Sequence, residues 1–264
     1  MNDPHVVALI YTVDHGNSVI YDEAEPLCQE EEGFRLKVKD KKAWFYLKDH
    51  YATEADARKV IEEFIHVWEF DVCLKRGPDF FRLKFEKAEI EDRSPTPGVV
   101  NVAVTFRAGI PTLSIAASVV VPSYPSPPSD ISVTPDVKTM YDRCIGYRRG
   151  HEPLTGMAYF CLNFLEYLAK EHQNKGQTKI KRRDAAAEYF QIGKKVLSRI
   201  GKLSTERGGP LGARKHKGVH RELTSEERQF LEEAIKKMIR RVAEKAHAPK
   251  KSLTKITFSD LPAG

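Results

Sequence analysis

Five prolines (Pro122, Pro125, Pro127, Pro128 and Pro135), interleaved with Ser123, Ser126 and Ser129, divide this chain of 264 residues into parts that read differently. Each proline fixes φ and removes a backbone donor, so the stretch sustains neither a helix nor a central strand and favours extended polyproline II. It predicts a linker or surface-hugging connection at 122–135, between a domain at 1–121 and a second at 136–264. The hydrophobic period also changes across it, from two residues to about 3.6.

Upstream, Phe34, Leu36 and Val38 alternate with Arg35, Lys37 and Lys39. A lysine-rich turn then leads into Trp44, Phe45, Tyr46 and Leu47, which predicts a hairpin. Thr53 with Asp56 three residues on opens a helix whose apolar stripe is Val60, Ile61, Phe64, Ile65 and Trp68. Strands follow at 80–85, 99–106 and 113–121. Downstream, Thr134-Pro135 starts a helix, and 154–170 is apolar nearly all round, as a central helix should be. Thr224, with Glu227 as its box partner, opens the last helix along Leu231, Ile235, Met238, Ile239 and Val242. The expected fold class is α+β: a mainly antiparallel N-terminal sheet with one helix, then an all-helical bundle. The tail from Leu253 to Leu261, with Ile256 and Phe258 alternating, is a possible terminal strand.

Charge follows the same division. Residues 1–130 hold 15 Lys+Arg against 22 Asp+Glu, whereas 131–264 hold 28 against 15. Within 175–221 there are 14 basic residues and three acids, Asp184, Glu188 and Glu206, an excess that suits a polyanionic partner. No apolar run is long enough to span a bilayer, and the N-terminus lacks the basic region of a signal peptide. Four scattered cysteines form no Cys-x-x-Cys pair, so neither a zinc site nor a disulfide framework is expected, and a reduced, cytoplasmic setting follows. No P-loop, dinucleotide fingerprint or nucleophile elbow occurs, and no cofactor or metal is expected.

Inside the basic stretch, Ala187 is followed by Ile192, Gly193, Leu197 and Ile200 in A-E-Y-F-Q-I-G-K-K-V-L-S-R-I. This spacing, within about 182–203, resembles the helix-turn-helix of bacterial DNA-binding proteins, where a small residue admits close helix approach and apolar residues seat the second helix. The resemblance implies a recognition helix from about Lys194 to Lys202, with Lys194, Lys195, Ser198, Arg199 and Lys202 outward. Arg182 and Arg183, ahead of the first helix, would meet phosphates. The turn glycine of many such motifs falls here at Gln191, which must then turn left-handed at some cost. Beyond it a loop with four glycines carries Arg214, Lys215 and Lys217, residues suited to order on a nucleic-acid backbone.

The same loop supports a second reading. Arg214, five residues and His220 match the Arg-x(4–6)-His signature of HEPN ribonucleases, some of which act in defence or as toxins. That resemblance implies metal-independent RNA cleavage, with imidazole moving a proton and guanidinium stabilising phosphorane charge. In the family the pair opens a helix, whereas the box at Thr224 places this helix start after His220. Arg148, Arg149 and His151, at a break between two helices, form a possible anion site or a solvent-facing turn. The expectation is thus a non-enzymatic nucleic-acid-binding protein whose N-terminal domain makes protein contacts or a homo-oligomer. The alternatives are the ribonuclease and an adaptor subunit whose basic face meets an acidic partner.

Overall fold

The structure is a computed structural model that describes residues 3–16, 19–94, 119–172, 181–207 and 221–263. The chain divides into two units, Met1–Pro128 and Ser129–Gly264. The first runs β1 (Pro4–Asp14), β2 (Val19–Ile20), β3 (Leu27–Glu30), β4 (Phe34–Lys39), β5 (Lys42–Leu47), α1 (Glu54–Arg76), β6 (Arg82–Asp92) and β7 (Val119–Val120). Five strands form an antiparallel sheet in the order β3-β4-β5-β1-β6, while β2 and β7 pair in parallel. The expected strand at 99–106 and most of that at 113–121 lie outside the described residues.

Alternation decides which face of the sheet is buried. Phe34, Leu36, Val38, Ala43 and Phe45 point into the core, and Arg35, Lys37 and Lys39 point out of it. α1 covers the apolar face with Ile61, Ile65 and Trp68, removing their surface from water at roughly 25 cal/mol per Å². Val60, expected in that stripe, is 39% exposed, because it lies round the helix from the sheet.

Residues 122–128 pack into this unit. Trp68 Nε1 donates to the Pro125 carbonyl at 3.0 Å, the Glu25 amide donates to the Pro122 carbonyl at 2.8 Å, and Tyr124 stacks on Tyr21 with ring centroids 5.1 Å apart. The prolines lack donors, but their carbonyls still accept, which is how this segment is held.

The second unit holds α2 (Pro135–Arg148), α3 (Leu154–Glu171), α4 (Arg182–Tyr189), α5 (Lys194–Glu206) and α6 (Ser225–His247). α3, with few polar positions, packs against all four others. The tail after α6 makes no sheet strand. Ile256 forms one isolated bridge with Ile192, between α4 and α5, and Phe258 sits in a single 3-10 turn with its ring 5.8 Å from Phe230. Two buried basic residues of α6 hold the tail: Arg241 donates to the Thr254 carbonyl and Lys245 to the Lys251 carbonyl, each at 2.8 Å. Burial holds the Lys245 ammonium below its ordinary pKa, with the nearby Arg241 charge acting in the same direction.

The two-residue turn between β4 and β5 has positive φ at both positions, 49° at Asp40 and 58° at Lys41. This type I′ geometry matches strand twist but favours glycine at the second position. Lys41→Gly keeps the backbone bonds from Lys41 N–H to Tyr124 Oη and from Val13 N–H to the Lys41 carbonyl. It should stabilise the first unit by about 1 kcal/mol. The urea midpoint of tryptophan fluorescence checks this, since both tryptophans, Trp44 and Trp68, lie in that unit.

Candidate nucleic-acid interface

Three consecutive alanines, Ala185, Ala186 and Ala187, are buried on the short helix α4 and let it approach its neighbours closely. The helix ends in a Schellman arrangement: the Ile192 amide donates to the Ala187 carbonyl at 3.1 Å and the Gln191 amide to the Glu188 carbonyl at 3.4 Å. Gln191 occupies the left-handed position, at φ 52°, where glycine is usual. Ile192 is buried beyond the turn, and Val196, Leu197, Ile200 and Leu203 form the buried stripe of α5. The tail closes over this turn. The Gly193 amide donates to the Ile256 carbonyl at 2.7 Å, and the Ile256 amide donates to the Gln191 carbonyl at 2.9 Å.

Opposite the buried stripe, Lys194, Lys195, Ser198 and Lys202 are exposed. Lys194 reaches Asp184 at 2.6 Å, and Lys202 lies 3.9 Å from Glu206; such exposed pairs contribute little and leave the lysines able to exchange partners. Arg182 is also exposed.

Two expected contact residues turn inward instead. Arg182 and Arg183 both lie within the first turn of α4, not ahead of it, and Arg183 Nε donates to Glu166 of α3 at 2.8 Å. Its guanidinium lies over α5 at Gly201, where a Cβ would come within 3.0 Å of Nη1. Arg199 points towards Glu227, its Nη2 3.4 Å from Oε1. At helical periodicity Arg199 falls at the margin of the buried stripe, and the carboxylate on α6 draws it across that margin.

Glu227 was legible in the sequence only as a cap. Its Oε2 accepts from the Thr224 amide at 3.2 Å, while its own amide donates to Thr224 Oγ1 at 3.1 Å, completing the capping box of α6. The same carboxylate takes Arg207, at the end of α5, in a two-pronged contact: Nη2 to Oε1 at 2.9 Å and Nε to Oε2 at 3.1 Å. The Arg207 hydrogen bonds hold the Glu227 carboxyl below its ordinary value, against the opposing effect of burial. Nothing in residue spacing joins Arg207 to Glu227, because the glycine-rich stretch between them has no hydrophobic period to fix their relation.

Arg214, Lys215, Lys217 and His220 lie outside the described residues. Arg149 and His151 are exposed, and Arg148 lines a shallow groove with Tyr147, Met157, Glu232 and Lys236. Glu152, 3.3 Å from Arg143, places an acid at the same helix break. All four cysteines are free thiols, and burial pushes the Cys161 thiol far up, which suits packing and not nucleophilic chemistry. Among the described residues no cluster of side chains could hold a metal ion, and no helix is long and apolar enough to cross a membrane.

Gln191→Gly should raise stability by about 1 kcal/mol, read as a urea-midpoint shift in far-UV circular dichroism, by relieving a left-handed residue in the turn. Thr224→Ala should cost about 1 kcal/mol, and Glu227→Gln more, because it also strands two guanidinium groups. A depressed carboxyl contributes stability above its unfolded value, and that contribution is lost as pH falls through the folded value. The gap between wild type and Glu227→Gln should therefore be full at neutral pH and close on acidification below 4.5, as urea titrations across that range would measure. Compared with protein-family models, with curated proteins and with solved structures, the chain matches none.

Proposed function

We propose that this is a non-enzymatic nucleic-acid-binding protein whose helical unit meets the phosphate backbone through the solvent face of α5. The observation that carries the reading is the set of Lys194, Lys195, Ser198 and Lys202, exposed together on the face opposite the buried stripe of that helix. Lysines so placed neutralise phosphates and release counterions, and a serine hydroxyl among them can bond to a phosphate oxygen or a base edge. The tail that bridges the turn, and the arginines that bind Glu227, hold both ends of α5 before any ligand arrives. A face held in this way loses little entropy on binding. Arg182, at the start of α4, extends the basic surface.

Arg199→Glu would be a poor probe, since it would set a second carboxylate beside Glu227. Lys195→Glu with Lys202→Glu changes exposed positions only. Fluorescence anisotropy with duplex DNA and with RNA, at salt from about 50 to 200 mM, should show affinity falling steeply with salt in the wild type. The double variant should bind more weakly, with the log–log salt slope reduced by about 0.9 for each phosphate that is no longer neutralised. Unchanged affinity and slope would remove α5 as the interface. Shortened RNA in the same samples, abolished by His220→Ala, would favour the ribonuclease reading instead.

A further inference from the structure

The outer face of the five-stranded sheet, in the first unit, carries an arrangement that the reading of α5 does not use. Strand alternation sends Phe45 into the core and turns its neighbours Trp44 and Tyr46 the other way, where both rings are partly exposed. They stand two residues apart on one strand, about 7 Å along it. Beside them across β1 stand Ala8, paired with Tyr46, and Ile10, paired with Trp44, and both are buried. On the other side, Arg35 pairs with Tyr46 and Lys37 with Trp44 across β4. The Arg35 guanidinium lies 4.9 Å from the Tyr46 ring centre.

The charges around this stripe are unevenly satisfied. Towards β6, lysines already face acids, Lys42 with Glu86 at 2.8 Å and Lys84 with Asp14 at 2.9 Å. Glu30, opposite Arg35 on β3, is taken by Lys48 at 3.1 Å. Among the described residues Arg35 and Lys37 have no ion pair, and they are the two cations directly beside the aromatic rings. Two half-buried aromatic side chains with cations beside them offer stacking to bases and charge to the phosphates between them.

We propose that this sheet face is a binding site for single-stranded nucleic acid, with Trp44 and Tyr46 stacking on successive bases and Arg35 and Lys37 meeting the backbone. A duplex keeps its bases stacked inside and cannot use such rings, so the face selects single strands. The site is independent of α5 and stands or falls separately from it.

The test uses the full chain and oligonucleotides of about ten nucleotides, within the range one such platform covers: oligo-dT, oligo-rU, and a duplex of equal length. Single strands should quench tryptophan fluorescence. Trp44→Ala should weaken single-strand binding, followed by anisotropy, between about fivefold and a hundredfold, and duplex binding little. Lys37→Glu, an exposed change with no effect on packing, should weaken it as well and flatten its salt dependence. Comparison of dT with rU separates DNA from RNA as the source of the strand. Single-strand affinity unchanged in both variants, or absent in the wild type, would overturn the proposal. So would single-strand binding abolished by the Lys195→Glu, Lys202→Glu pair while Trp44→Ala leaves it intact, a result that would still support the reading of α5.

Discussion

The carboxylate of Glu227 is the interaction on which the helical unit most depends. One side chain completes the cap of α6, binds the arginine that ends α5 and draws in a second arginine from the middle of that helix. Desolvating a charge is costly, and it is tolerated here because both carboxylate oxygens accept hydrogen bonds from opposite charge or from a helix N-terminus. The start of α6 and the end of α5 are therefore brought together by electrostatics as well as by apolar contact.

That arrangement changes the meaning of the basic excess. Arg183, Arg199, Arg207, Arg241 and Lys245 serve the unit itself, pairing with Glu166 and Glu227 or donating to carbonyls of the tail. Among the described residues of 175–221, the cations that stay exposed are Lys181, Arg182, Lys194, Lys195, Lys202 and Arg221. A count of charges cannot separate these uses, since a guanidinium on a helix margin turns inward or outward according to what the neighbouring helix presents. In the first unit, which is acidic as a whole, Arg35 and Lys37 flank two aromatic rings and have no ion pair among the described residues, so net charge misleads there in the opposite sense.

Much of the fold was legible because it rests on local rules. The alternation at 34–38, the threonine caps at Thr53, Thr134 and Thr224, and the all-round apolar character of α3 each follow from side-chain direction or from orphan amides near in sequence. Gln191 could be expected to turn left-handed because the helix-turn-helix resemblance sets the motif's turn glycine at that position, and its φ is 52°. The candidate site was legible only in part. Lys194, Lys195, Ser198 and Lys202 point outward because α5 is amphipathic, whereas Arg183 and Arg199 answer to acids on α3 and α6. The tail reads as a strand but is not one, because alternation specifies an extended chain and not whether a sheet edge awaits it.

Residue order alone is enough for the α+β succession, the change of character at the prolines, the helix starts and most of the faces that helices and strands bury. These depend on interactions within a few residues, so their signals lie together along the chain. It took the folded molecule to establish that the proline segment packs against Trp68, that Glu227 gathers two arginines, that the tail bridges the turn before α5, and which cations face water. Those outcomes depend on groups far apart in sequence, and their energies exist only once the fold has set them within hydrogen-bonding distance and removed the competing water.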